Sequence, residues 1–284
     1  MTVKRRIGWG IVGISVLMAV GLHYSARSRP LPEGCTAALV FDRDIATRYW
    51  WLSDSVALLC RNGVWNPKLP TQNRFSLFNR VTHTETPLPE LTAALFKNRI
   101  FGFEVELSAD KHWVLWKNRE WPLPRIGDAT SEVPRYEVLT KPPTIGNEDG
   151  PIYKTKIVIK ARPVGNVQAA VQTFQIDLPE NRGTEDEVLA RGGDKIAWFM
   201  GTAPALPEIF SLLGLSDDAS VGLWVSAIDG SRMRELGYVS CSSRYYYYNS
   251  GDPFTGDPSD LQWLPDGKHL SFVLANTLYV MPVE

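Results

Sequence analysis

The sequence predicts an all-β protein, a β-propeller of about five or six four-stranded blades behind an N-terminal membrane helix. Three observations predict it: a hairpin pattern centred on an aspartate recurs, 22 Gly and 20 Pro supply many turns, and an uncharged run follows basic residues at the N-terminus. With 284 residues, 44% of them hydrophobic, the chain is long enough for one large all-β domain or two smaller ones.

The N-terminal element is the uncharged run 7–22, which follows Lys4, Arg5 and Arg6. The run is short for a spanning helix and long for the core of a signal peptide. An uncleaved signal anchor, a cleaved signal peptide and a buried helix are therefore all open for residues 1–29. Because the basic flank stays in the cytoplasm, we expect a single-pass cell-membrane protein whose domain 30–284 is periplasmic or extracellular.

Charge divides at the same boundary. Residues 1–29 contain no acidic residue, so the rest of the chain has 31 Asp and Glu against 25 Lys and Arg. A mildly acidic domain lacks the positive surface that phosphate binding requires, and nucleic acid is therefore not an expected partner.

Four segments of the chain align on one aspartate. They are WWLSDSVALLC, VELSADKHWVLW, VLARGGDKIAWFM and LQWLPDGKHLSFV, aligned on Asp54, Asp110, Asp194 and Asp266. Apolar residues precede each turn and alternate with other residues after it, which is typical of strands. Asp is favoured in turns because its side chain bonds the backbone, so we assign these residues a structural role and not a catalytic one.

The spacing of the copies indicates a repeat of about 40–45 residues, the length of one propeller blade. A degenerate copy, NEDGPIYKTKIVIKARP at Asp149, fits the long interval between Asp110 and Asp194, and 201–220 is interpreted as an inserted loop. A β-sandwich and two small β domains are the competing architectures.

The segments WLPDGKHLSF and LWVSAIDGSRMREL resemble the repeats of TolB-like, WD-type β-propellers, most clearly over residues 221–284. This resemblance implies a fold only, because those repeats mark turns and blade packing and carry no catalytic residue. The last hairpin is followed by one more strand before the sequence ends. We therefore expect 36–44 to pair with the strand near Leu278–Met281 and to complete the last blade.

The motifs of common enzymes and cofactor sites do not occur. The sequence has no G-x-S-x-G elbow, no phosphate-binding Gly-rich loop and no zinc-ligand spacing, so no cofactor, metal or catalytic residue is assigned. His112 and His269 occupy equivalent positions after their repeat Asp and are interpreted as strand residues. Of the three Cys, Cys60 ends an apolar run and is expected to be buried, and a Cys35–Cys60 disulfide is the alternative.

The segment SSRYYYYNSGDPFTGDPSD is the candidate ligand- or partner-binding site. In an extended chain, adjacent side chains point to opposite faces, so Tyr245, Tyr246, Tyr247 and Tyr248 cannot all face one core. Tyrosine rings suit protein interfaces and sugars, and Asp252, Asp257 and Asp260 add acceptors. A loop that packs on its own tyrosines is the structural alternative.

The segment at Trp113, Trp116 and Trp121 is interpreted as packing between blades.

Two functions from different classes are consistent with these observations. The first is a non-enzymatic binding or scaffold module, anchored in the membrane through 7–22, for a protein or cell-envelope component. The second is a propeller-fold enzyme that acts on glycans, which would require two carboxylates at the mouth of the central funnel.

Overall fold

The computed structural model describes residues 31–42, 45–63, 74–97, 105–108, 110–126, 136–139, 156–164, 166, 168–178, 182–189, 194–202, 220–240 and 259–283. Within these ranges lie eighteen strands and one helix, α1 (Pro89–Lys97). The strands are, in chain order, β1 (Thr36–Val40), β2 (Ile45–Trp51), β3 (Val56–Gly63), β4 (Arg74–Asn79), β5 (Thr84–Pro87), β6 (Glu106–Leu107), β7 (Trp113–Trp116), β8 (Arg119–Pro122), β9 (Tyr136–Val138), β10 (Lys156–Pro163), β11 (Gln172–Asp177), β12 (Arg182–Leu189), β13 (Lys195–Thr202), β14 (Ser220–Ala227), β15 (Arg234–Ser240), β16 (Ser259–Trp263), β17 (His269–Leu274) and β18 (Thr277–Pro282).

The strands form five antiparallel sheets of three or four strands each. Sheet 1 has the order β2-β3-β4-β5, sheet 2 has β6-β7-β8, and sheet 3 has β9-β10-β11. Sheet 4 has the order β12-β13-β14-β15, and sheet 5 has β16-β17-β18-β1. Sequence neighbours pair throughout except at β1. Local hairpins therefore build each sheet, as the repeat of turn signals predicts.

The predicted β-propeller is wrong, because the described strands lie in separate small sheets without a closed or propeller-like arrangement. Four apolar clusters join sheet 2 to sheet 1, sheet 1 to sheet 5, sheet 5 to sheet 4, and sheet 4 to sheet 3. A ring would need a fifth cluster between sheets 2 and 3, and the described residues contain none. The repeat specifies hairpins, which are local, whereas closure depends on contacts that a turn pattern does not encode.

The predicted pairing of the N-terminal strand with the last hairpin is confirmed. β1 pairs with β18 in antiparallel register, with Thr36 opposite Val280 and Val40 opposite Thr277. The hydroxyl of Thr36 also donates to the carbonyl oxygen of Val280 at 3.2 Å. β1 therefore supplies the fourth strand of sheet 5, as inferred, although no ring results.

The predicted single-pass membrane topology is also withdrawn. No helix within the described residues is long and apolar enough to cross a membrane. Residues 1–29, including the proposed span 7–22, lie outside the described residues.

Helix α1 was not predicted from the sequence. It begins at Pro89, where a missing N–H costs nothing, and it places Glu90 in its first turn and Lys97 in its last, which suits the helix dipole. Leu91 and Leu95 lie one turn apart and are 6% and 0% exposed. They pack against sheet 1. The helical sequence LPELTAALFK lies between segments with strand-like patterns, and it was therefore not recognised as a helix.

We predict that β1 contributes strongly to stability. A chain that begins at residue 41 should unfold at a lower urea concentration than one that begins at residue 31, because it loses the β1–β18 ladder. The shortened chain should also aggregate, since β18 becomes an exposed edge. Equal urea midpoints and equal solubility for the two chains would show that β1 is dispensable.

Candidate functional site

The predicted binding residues cannot be placed. Tyr245, Tyr246, Tyr247, Tyr248, Asp252 and Asp257 lie in 241–258, outside the described residues. The segment connects β15 of sheet 4 to β16 of sheet 5. The first described residues after this segment are Ser259 and Asp260, which begin β16.

A buried polar network joins β16 and β17 to sheet 1. Ser271, fully buried on β17, accepts a 2.7 Å hydrogen bond from Nε1 of Trp51. Its hydroxyl also lies 3.1 Å from the hydroxyl of Tyr49. Tyr49 donates to the carbonyl oxygen of Asp260 at 2.5 Å, and Nε2 of Gln262 donates to the carbonyl oxygen of Tyr49 at 2.9 Å. We call these five residues the inter-sheet junction.

The side chains of β17 alternate between its two faces, but neither face is exposed to solvent. Ser271 and Phe272 are adjacent and therefore lie on opposite faces of β17, and both side chains are fully buried. Sheets pack on both sides of β17, so the polar Ser271 needs partners. Tyr49 and Trp51, whose rings lie edge to face at 6.2 Å, provide them from β2.

Asp260 is the acidic residue of the junction. Burial raises the pKa of its carboxyl above the ordinary value, while Arg48 and the hydroxyl of Ser259 act in the opposite direction. Its φ of 52° is positive, and the β16–β17 register shifts between Ser259 and Gln262. Strained backbone and a perturbed acid occur together at many functional sites, so Asp260 is the functional candidate that sequence reasoning passed over as one more acceptor of the loop.

The repeated Asp residues act in turns, but not all in the same way. Oδ1 of Asp266 accepts hydrogen bonds from the backbone N–H groups of Lys268 and His269 at 2.8 and 3.1 Å. Oδ1 of Asp110 accepts from the hydroxyl of Ser108 at 2.5 Å and from the N–H of His112 at 3.2 Å. These are the side chain-to-backbone bonds expected of Asp in a turn.

At the first copy, a serine replaces the aspartate in this role. The Oγ of Ser53 accepts the N–H of Val56 at 3.1 Å. The side chain of Asp54 is exposed and accepts no hydrogen bond from the described residues. At the third copy, the backbone carbonyl of Asp194 accepts from the N–H of Ile228 at 3.0 Å, and its side chain is also exposed.

The histidines of the hairpins pair with these turns. Nδ1 of His269 lies 2.6 Å from Oδ2 of Asp266, and Nδ1 of His112 lies 2.6 Å from the carbonyl oxygen of Asp110. No group of three or more His, Cys, Asp or Glu in the described part of the chain could hold a metal ion. These two histidines therefore have local structural partners.

The cysteines and tryptophans lie in apolar surroundings. Cys35 and Cys60 are free and pack in different clusters, and burial raises their pKa to about 11 and about 12. Trp116 and Trp121 pack against the cluster between sheets 1 and 2, whereas Trp113 is 38% exposed. Inter-sheet packing is thus confirmed for two of the three tryptophans.

Comparisons with known proteins add little. No family model and no curated protein matches the chain, so the TolB-like resemblance is not confirmed. A solved structure, the tricorn protease, is similar over 90% of this chain and 33% of its own length, at 9% identity and a TM-score of 0.34. A similarity this weak carries no argument about fold or function.

The raised pKa of the Asp260 carboxyl predicts that the stability of the protein depends on pH. Because burial raises the pKa of Asp260 in the folded state, the protonated form is favoured there, and this stabilisation is lost as pH rises from the unfolded pKa through the folded one. Asp260→Asn should therefore be more stable than the wild type at neutral pH, with the difference shrinking toward pH 4 and below. Urea unfolding across this range measures it, with Asp54→Asn as the control. A difference independent of pH would contradict the burial of a charged group.

The turn geometry separates two aspartates. Asp266→Ala should lower the free energy of unfolding by about 1–2 kcal/mol, because two backbone N–H groups lose their acceptor. Asp54→Ala should change it by less than about 0.5 kcal/mol, since Ser53 holds that turn. Chemical denaturation of the two variants checks this, and equal losses would show that the repeat Asp has one common role.

Proposed function

We propose that the chain is a non-enzymatic binding or scaffold module for a protein or cell-envelope component. The observation that supports this proposal is that polar side chains in the hairpins form hydrogen bonds within the chain. The aspartates and histidines of the second and last copies hold their own turns, and Ser271 is committed to the inter-sheet junction. Residues engaged in this way support a scaffold, and the segments that connect the sheets are left for recognition.

The segment 241–258 is the proposed contact surface. It contains Tyr245–Tyr248, Asp252 and Asp257, which combine aromatic rings with acidic acceptors. At its C-terminal end the chain enters the junction directly, because the carbonyl oxygen of Asp260 accepts the hydroxyl of Tyr49. A recognition segment fixed to a rigid junction loses less entropy on binding than one without such an attachment.

The tyrosines give the test of this function. Alternate residues of an extended segment share a face, so Tyr245→Ser with Tyr247→Ser and Tyr246→Ser with Tyr248→Ser are matched double variants. We expect one pair to weaken binding by roughly 1–3 kcal/mol per ring and the other to have little effect. Partners should first be identified by cross-linking to the wild-type protein in cells and then measured by calorimetry.

Equal unfolding midpoints for both double variants are the necessary control. If neither pair changes partner binding while both remain folded, the segment is not the contact surface. If both pairs unfold the protein, the rings form a core and the structural interpretation of the loop replaces the binding one.

A glycan-acting enzyme is the second candidate, and Asp260 is the observation that favours it. A partly buried carboxyl with a raised pKa is what a general acid in glycoside hydrolysis requires. The enzyme would need a second carboxylate at hydrolytic distance. Hydrolysis of a glycan panel that is lost in Asp260→Asn, with the fold intact, would favour this function over the binding module.

A further inference from the structure

The ten edge strands of the five sheets differ in how their outward backbone groups are protected. β6 and β9 have only two and three residues, and β5 and β8 have four each and end in proline. β1, β12, β15 and β16 carry register shifts. Shortness, proline and bulges are the usual means of blocking edge-to-edge association.

β2 is long and regular, but side chains from other sheets cap its edge. Gln262 donates to the carbonyl oxygen of Tyr49, and Nζ of Lys111 donates to the carbonyl oxygen of Trp51. Two edge carbonyls of β2 therefore have partners within the chain.

Among the described residues, β11 has none of these protections. It has six residues, QTFQID, without proline, lysine or arginine. Its register with β10 is continuous, from Lys156 opposite Asp177 to Ala161 opposite Gln172. Only residues 178–181 separate it from β12, so the following chain is too short to add a fourth strand to sheet 3.

The outward backbone groups of β11 can be assigned. The N–H of Leu139 donates to the carbonyl oxygen of Lys160 at 2.8 Å, so the backbone groups of Lys160 face β9. Because the groups of successive residues point to opposite sides, those of Ile159 and Ala161 face β11. Their partners on β11 are Phe174 and Gln172. The N–H and C=O groups of Thr173 and Gln175 therefore point outward, and the described residues give them no partner.

We infer that β11 is a self-association edge, at which two copies of this chain pair antiparallel about a twofold axis. Pairing extends sheet 3 of each copy into one continuous six-stranded sheet. The occupant of the edge is a second copy because the strand is self-complementary. Outward groups must oppose outward groups, so the axis passes near Phe174 or Gln175. In either register Asp177, the one charged residue of β11, faces an uncharged residue, Val171 or Thr173, of the other copy.

The surface beside the edge is compatible with this contact. Val158 and Val171 are each 48% exposed. Val158 is paired with Gln175, and Val171 directly precedes β11. Both apolar side chains lie next to the strand that the second copy would cover. A contact of one short strand from each copy is small, so the dimer should be weak and reversible.

Proline scanning of the edge is the experiment. Thr173→Pro removes an outward N–H and leaves the β10–β11 ladder intact, a position where proline is tolerated. Thr173→Ala keeps the N–H and is the matched control. In sedimentation velocity of the full chain, the wild type and Thr173→Ala should dimerise with rising concentration, and Thr173→Pro should associate at least tenfold more weakly. Gln175→Pro and Gln175→Ala form a second pair if Thr173→Pro does not fold.

Hydrogen exchange gives an independent measurement. The amides of Thr173 and Gln175 should exchange more slowly as wild-type concentration rises, because they become bonded in the dimer. A wild type that is monomeric at all concentrations overturns the inference. Association that persists unchanged in both folded proline variants overturns it as well, because another surface would then be responsible.

Discussion

Narrow sheets impose one constraint on this whole structure: backbone groups at strand edges need partners. Sheets of three or four strands leave a large share of their strands at an edge. Two edge carbonyls of β2 have partners from outside sheet 1, since Gln262 and Lys111 donate to the backbone carbonyls of Tyr49 and Trp51. Arg234 of sheet 4 likewise donates to the carbonyl of Val283, which follows β18 of sheet 5. Such bonds join sheets as well as completing edges, and the apolar clusters lie between the sheets so joined.

The inter-sheet junction is the most buried example of this arrangement. Ser271 has no exposed surface, and an unpaired hydroxyl there would cost roughly 1–3 kcal/mol. Its hydrogen bonds to Tyr49 and Trp51 therefore fix the position of sheet 1 against sheet 5, in addition to the apolar area that is buried between the two sheets. An apolar interface of the same size would tolerate sliding, whereas a network of directed hydrogen bonds selects one arrangement.

The sequence predicted local structure well and assembly poorly. The turns at Asp266 and Asp110 were readable because Asp and Gly bond or bend the backbone within a few residues. The pairing of β1 was inferred because the last hairpin and the strand that follows it leave the last sheet one strand short of four. Closure of a ring was not upheld, since hairpin spacing is local and does not encode it. The membrane span was predicted from an uncharged run, and no helix among the described residues is long and apolar enough to form one. Asp260 had no such signal: the burial that raises the pKa of its carboxyl, and the opposing charge of Arg48, act on it only in the folded chain.

The pairing of β1 with β18 also has a consequence for synthesis. A hydrogen bond from the Thr36 hydroxyl joins Thr36 to Val280, 244 positions away. The loop closed by this contact contains every strand from β2 to β17. During translation β1 emerges among the first described residues and its partner among the last. Sheets 1 to 4 can form before β18 has been synthesised, whereas sheet 5 cannot be completed until then. Long-range contacts of this kind slow folding, and the nascent protein carries an unpaired strand, a natural substrate for chaperones, until β18 has left the ribosome.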